Sequence, residues 1–357
     1  MRNYKIIHKN QFACSTMQVR RDRKMPVALL QDFEEAIISQ AYPVFEIVDT
    51  NKLLPEYLMM WFSRAEFDRH AEFLAVGGVR GTLEWEDFLD MELPVPSLET
   101  QHAIVKEYNV IANRIKLNEQ LNQKLEETAQ ALYKHWFDDF EFPNENGEPY
   151  KSSGGTMVYN EELEKEIPER WEAVPLSDLT SYSKIRIGVD ELNLSNYIST
   201  ENMLPERKGI VEAASLPSSK TLTCFDEGDI LISNIRPYFK KIWRAEFIGG
   251  CSNDILCFKE RNRCDSFYLY YILEQDLFFD YVMAGSKGTK MPRGDKDWIM
   301  NYFIARPTDE LINEFVVKVE IFSRNILDNT SENKLLNQFQ TLLLSKMATV
   351  ERELLVG

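Results

Sequence analysis

The sequence predicts an α+β chain built twice over. Two mixed α/β regions are joined by two long antiparallel helices forming a coiled-coil spacer, and the halves are related by a pseudo-two-fold internal repeat. Three observations predict it. Asn118 and Asn122 recur as Asn329 and Asn333, 211 residues on, and the same offset carries Ile104 onto Phe315, Tyr108 onto Val319, Ile111 onto Phe322, Ile115 onto Ile326, Leu125 onto Leu336 and Leu132 onto Leu343. These positions advance by alternating threes and fours, the spacing of a helix seam that packs on another helix. Ahead of the second seam lie short β-like runs, Asp229–Ser233 and Ile255–Phe258, and then an apolar-aromatic helix over 266–282. A repeat on this scale organises the whole chain and is read before any single motif.

The first mixed region covers residues 1–98. Its Ile7–Phe12 matches Phe225–Ile230 in pattern, but the stretch from Ile167 up to that point has no counterpart before Tyr4. The first region therefore looks incomplete at its N-terminus. Leu93–Pro96 reads as a short strand stopped by proline, after which Ser97 can cap a helix over 99–140. Such a helix, roughly 40 residues, is about 60 Å long. A connector over 141–175 follows. From Asp138 to Glu172 eleven acids stand against three bases, and Gly147, Ser152, Ser153, Gly154 and Gly155 mark it as exposed. The second region, 176–307, closes on the strand Phe303–Pro307, and Thr308 can cap the second helix over 308–350. Laid antiparallel, the helices would hold the two regions apart as a head at each end. Asn118 and Asn122 with Asn329 and Asn333 then suit buried polar pairs that fix helix register, although asparagines solvated at a fray in the seam would show the same pattern.

A length of 357 residues, 44% apolar and 12% aromatic, allows two or three folded domains. No apolar run is long enough to span a membrane, and the start lacks a signal-peptide core, so the chain is expected to be cytoplasmic. Cys14, Cys224, Cys251, Cys257 and Cys264 show no CxxC spacing and the four histidines are scattered. Reduced, mostly buried thiols and no metal are expected. The net charge of −16 should repel nucleic acid at long range, so any DNA-binding face must be local.

The densest constellation is Asp229–Arg244, an apolar strand leading into a turn with Arg236, Tyr238, Lys240, Lys241 and Arg244. Lysines suit phosphates, arginines base edges, and aromatics stacking, although a solvated basic edge would look the same. The second candidate is the loop Gly285–Arg293 with Lys287, Thr289, Lys290 and Arg293; its counterpart, Gly77–Thr82, carries Arg80. Glycine-rich loops let backbone N–H groups approach phosphates, yet this is no Walker A loop and implies no nucleotide hydrolysis. Arg20, Arg21, Arg23 and Lys24 lie near the position of the basic turn and are phosphate candidates of lower weight; by default they form a solvated hairpin edge. Catalysis finds little support: GxSxG, HExxH and Cys–His pairings are missing.

These features together resemble the specificity subunit of type I restriction-modification systems. Ile167–Trp171 with Val174–Leu176, Gly228–Tyr238, Gly249–Asp254 and Leu132–Phe137 carry the resemblance, in that family's order, within a duplicated frame. It implies a non-catalytic subunit whose two target-recognition domains each read half of a bipartite site on double-stranded DNA, with the paired helices as a ruler. It implies docking of two modification subunits, which bind S-adenosylmethionine and methylate adenine, and of restriction subunits; the chain itself holds no cofactor. Residues 176–307 would be a complete recognition domain and residues 1–98 a shortened one. Two other readings stay open: a helical interaction scaffold that reads no DNA, and a shortened variant that reads one half-site as a dimer. The first is separated by whether the turn 234–244 and the loop 285–293 converge on one basic face.

Overall fold

A computed structural model describes residues 4–78, 80–261 and 266–356, with side chains placed up to Ser345 and at Met347. Val79 of the first glycine loop and Cys264 of the thiol set lie outside the described residues. The chain divides into two compact units, residues 1–122 with 327–357 and residues 123–326.

In the first unit Tyr4–His8 pairs antiparallel with Glu35–Ser39, and Phe12–Cys14 lies between Val27–Leu29 and Val44–Phe45. Helices Pro55–Phe62 and Ala65–Leu74 cover the second sheet; Pro55 opens the former, where its missing N–H costs nothing. Phe12, Tyr57, Trp61, Phe62, Phe67 and Leu83 form the core, with the Phe12 and Phe45 rings stacked 5.1 Å apart. The first long helix begins at Leu98, with the Ser97 hydroxyl accepting from Thr100 N–H at 3.3 Å. Buried Gln101 ties it to the head: its amide donates to the Lys52 and Pro96 carbonyls at 2.7 and 2.8 Å and accepts from Leu54 N–H at 2.9 Å. Ile104, Val105 and Tyr108 share that core with Leu344 and Met347 of the second long helix.

The second unit is built on two four-stranded sheets. One runs Arg186–Gly188, Thr221–Phe225, Gly249–Cys251, Tyr197–Ile198; the other runs Ile242–Arg244, Ile230–Ser233, Ile255–Glu260, Thr180–Tyr182. Ile230–Ser233 is buried at every position, which is why it reads as an unbroken apolar run and not an alternating one. Helices Ser266–Leu273, Asp276–Ala284 and Lys296–Met300 pack beside them. The end of the first long helix joins the largest core: Phe137 meets Phe315 of the second long helix edge-to-face at 4.9 Å, beside Tyr133 and Trp136.

Within the first unit the long helices pair antiparallel through the four asparagines. Asn118 donates to Asn333 Oδ1 and to Glu332 Oε2, both at 2.8 Å; Asn329 donates to Asn122 Oδ1 at 2.8 Å. Arg114 closes on Glu332 side-on, its Nε and Nη2 donating to the two carboxylate oxygens at 3.0 and 2.8 Å.

Three expectations are corrected. The first long helix is α-helical only over Leu98–Tyr133 and ends in a π-helical turn, Lys134–Asp138; the second runs Asp309–Val356. The connector is not merely exposed: Met157–Asn160 pairs with Lys165–Pro168, and Phe142, Ile167 and Trp171 enter the core. Residues 91–97 form no strand. The matching Phe303–Arg306 is a strand because Glu172–Pro175 pairs with it, and Glu172–Pro175 belongs to the stretch without a first-copy counterpart. The same asymmetry marks the sheets. Leu222 is buried under Leu192, Tyr197 and Ala213, whereas Tyr4 and Ile6 beside Ile37 stay exposed among the described residues.

Candidate nucleic-acid interface

The basic turn of the second unit grows from a strand buried at every position, Ile230–Ser233. After Ser233 the chain turns at Arg236, whose φ of 52° is left-handed, makes one 3-10 turn over Pro237–Phe239, and turns again at Lys240 with φ 50°. Non-glycine residues rarely adopt such angles without a surrounding structure that imposes them. Here the glycine loop does so on one side. Arg236 N–H donates to the Pro292 carbonyl at 2.8 Å, Gly294 N–H to the Asn234 carbonyl at 3.3 Å, and the Asn234 amide to the Gly294 carbonyl at 3.2 Å. Arg293 pairs with Asp254 at 2.9 Å, and Asp254 in turn accepts Asn234 N–H through its carbonyl. The turn 234–241 and the loop 287–294 are thus one hydrogen-bonded surface.

The first unit repeats this arrangement. Gln18 and Arg23, with φ of 64° and 50°, bracket the helical turn Val19–Asp22 as Arg236 and Lys240 bracket theirs. Leu83 N–H donates to the Thr16 carbonyl where Gly294 donates to Asn234. The bridge Val76–Thr82 closes the first loop, and the bridge Lys287–Arg293 closes the second 211 residues later. Gly77 and Gly288 hold the matching left-handed positions at φ 99° and 96°, which glycine takes without steric cost. Arg20, Arg21, Arg23 and Lys24 therefore sit on or beside a helical turn, not a hairpin edge.

The cations sort into held and available groups. Lys240 Nζ lies 2.8 Å from Asp276, and Lys241 Nζ donates to the Thr200 carbonyl at 2.6 Å, with burial pulling its pKa down. Arg244 stacks 3.8 Å over Phe267 and donates to the Ser266 hydroxyl, so it packs inside the fold instead of facing a ligand. Arg20 donates to the Gly77 carbonyl at 3.0 Å and to Ala75, latching the first loop; Arg21 pairs with Asp22. Lys287 reaches Asp295 at 2.5 Å from an exposed position, and that hydrogen bond raises its pKa. Lys290, Arg80 and the side chain of Arg236 have no ion pair or hydrogen bond among the described residues; Tyr238 is 44% exposed at the tip of the turn, and Thr289 is exposed beside Lys290. Arg23 and Lys24 are also exposed, Arg23 lying 3.9 Å from Glu72.

Sequence reasoning missed Arg207 and Lys208. Glu206 N–H donates to the Phe239 carbonyl at 2.8 Å and Arg207 N–H to the Lys240 carbonyl at 3.0 Å, so their loop edges the turn on its other side and brings exposed Lys208 beside it. The short basic run Arg207-Lys208 was the only available signal.

A local basic face fits what is similar to this chain. Residues 7–127 match the family model of the type I restriction modification DNA specificity domain. The type I restriction enzyme MjaIX specificity subunit of Methanocaldococcus jannaschii is 24% identical over 314 residues, covering 84% of this chain and 70% of that protein. The type I restriction enzyme HindI specificity subunit of Haemophilus influenzae is 31% identical over 112 residues, 31% of this chain and 24% of that protein. The solved structure of the type I restriction-modification S subunit from M. genitalium shares the fold, with a TM-score of 0.52 at 14% identity over 95% of this chain and 83% of that one. Residues 7–127 are thus similar to a type I restriction modification DNA specificity domain, and most of the chain is similar in sequence to a type I restriction enzyme specificity subunit.

Proposed function

We propose that the chain reads a two-part site on double-stranded DNA and presents it to modification and restriction subunits docked on its long helices. The observation that carries this reading is the stitching of turn 234–241 to loop 287–294, with Tyr238 and Lys290 exposed on the resulting face and the half-buried Arg236 guanidinium unpartnered beside them among the described residues. A preorganised turn between hydrogen-bonded loops can place an arginine fork against base edges while a flanking lysine meets phosphate. The same frame in the first unit, with Arg80 available, supports a second reading surface. S-adenosylmethionine would be held by the modification subunit, and the methylation of adenine would be that subunit's chemistry.

The helices offer the docking surface. Val110, Leu117, Leu121, Leu335, Phe339 and Leu342 are exposed in the first unit, and Val317 and Ile321 in the second. Large apolar side chains in rows along a helix are costly to leave in water, at roughly 25 cal/mol per Å². Co-expression with the cognate modification subunit, followed by mapping of methylated adenines in host DNA, tests the reading. A two-part motif is expected. A palindrome of one half-site would leave residues 176–307 as the only reader, and a stable complex without methylation would favour a scaffold.

A further inference from the structure

The cations of the reading turn are not all spare. Asp276, the first residue of helix Asp276–Ala284, accepts from Lys240 Nζ at 2.8 Å and also pairs with the Arg207 guanidinium. Arg207 Nε reaches on to the Glu274 carbonyl at 2.7 Å, and its side chain lies over the Phe279 ring. The backbone follows the same path, since 206 and 207 donate to the carbonyls of 239 and 240. Four non-glycine residues with left-handed φ meet here: Glu206 at 56°, Arg207 at 60°, Arg236 at 52° and Lys240 at 50°. Strain concentrated in one place and held by charged side chains marks a segment whose shape matters more than its own local stability. Among the described residues the arrangement belongs to the second unit alone. Ala65 stands in the first copy where Asp276 stands in the second, and Arg207 lies in the stretch without a first-copy counterpart.

We propose that Asp276 is a positioning residue for DNA reading by the second unit, joining Arg207 and Lys240 into a clamp that sets the angle at which Arg236 and Tyr238 face DNA. This rests on the DNA-reading function proposed above. It assigns Lys240 to holding the turn, not to contacting phosphate, and it gives an acid beside a DNA-binding face a role in specificity. Hydrogen bonds from Lys240 and Arg207 keep the Asp276 carboxyl below its usual range, so the clamp is charged at neutral pH.

The test uses the complex with the modification subunit and two duplexes, one carrying the motif methylated by the wild-type complex and one lacking it. Asp276→Asn removes a negative charge and frees a lysine, so simple electrostatics predicts tighter binding to both duplexes with their ratio preserved. The clamp predicts that affinity for the motif falls about tenfold relative to the other duplex, that Asp276→Glu restores the ratio, and that Lys240→Gln lowers the ratio without changing the salt dependence. Equal gains on both duplexes for Asp276→Asn would overturn the proposal. So would a Lys240→Gln complex that keeps its ratio but loses about one phosphate's worth of salt slope. If Asp276→Asn fails to assemble with the modification subunit, Lys240→Gln alone decides. A wild-type complex with no preference between any duplexes would instead overturn the DNA-reading function itself.

Discussion

Arg236 on the turn and Arg244 in the strand that leaves it lie eight positions apart and have opposite fates. The Arg236 guanidinium has no hydrogen-bond partner among the described residues, whereas that of Arg244 is stacked on Phe267 and bonded to Ser266. Replacing Arg236 by Ala should weaken motif binding by about 1–3 kcal/mol with little change in thermal stability. Replacing Arg244 by Ala should do the reverse, costing about 0.5–2 kcal/mol of folding stability through the lost cation–π contact. Salt-series binding and denaturant unfolding of the two variants separate the effects. A pH dependence belongs to this scale too. Glu274 is buried beside Arg207 and Tyr270, and burial pushes its carboxyl up to about 7 from 4.5. Between those values the folded state keeps a proton that the unfolded state has lost, so stability falls as pH rises from about 4.5 to about 7 and levels off above. Glu274→Gln should remove that slope and stabilise the protein at pH 8 by about 1–3 kcal/mol, read from unfolding curves at several pH values.

Among the elements, the long helices were readable because their signal is local. Periodic apolar positions three and four apart need no knowledge of a partner, and the repeated asparagines gave the register directly. Asn118 is 1% exposed and bonds both Glu332 and Asn333, so Asn118→Ala should cost about 1–3 kcal/mol by removing both bonds and leaving Asn333 Oδ1 without its donor, while Glu332 keeps Arg114. Asn118→Leu should recover much of that stability while loosening helix register, visible as altered cross-linking between cysteines placed at 114 and 332. The strand expected at Leu93–Pro96 failed for the opposite reason. A strand exists only with a neighbour, and the neighbour of its counterpart is Glu172–Pro175, far away in sequence.

At the scale of the molecule, a net charge of −16 leaves little attraction to spare. Asp254, Asp276 and Asp295 each pair with a cation of the candidate face, so the surface that remains is small. The isolated chain should bind DNA weakly and lose that binding steeply between 50 and 200 mM salt, while the complex with its modification subunit retains it. Equal affinity with and without that subunit would show that this chain alone supplies the cations.

The sequence by itself determined the duplication, the two long helices with their asparagine register, the basic turn and the glycine loop, because each is written in spacing and composition over a few tens of residues. Only the tertiary structure decided which cations are free. Arg207 and Asp276 are 69 positions apart, Lys240 and Asp276 36, and Arg20 and Gly77 57. A charged side chain carries no local sign of the partner that folding brings to it, so the number of lysines and arginines in a turn overstates what can meet a phosphate.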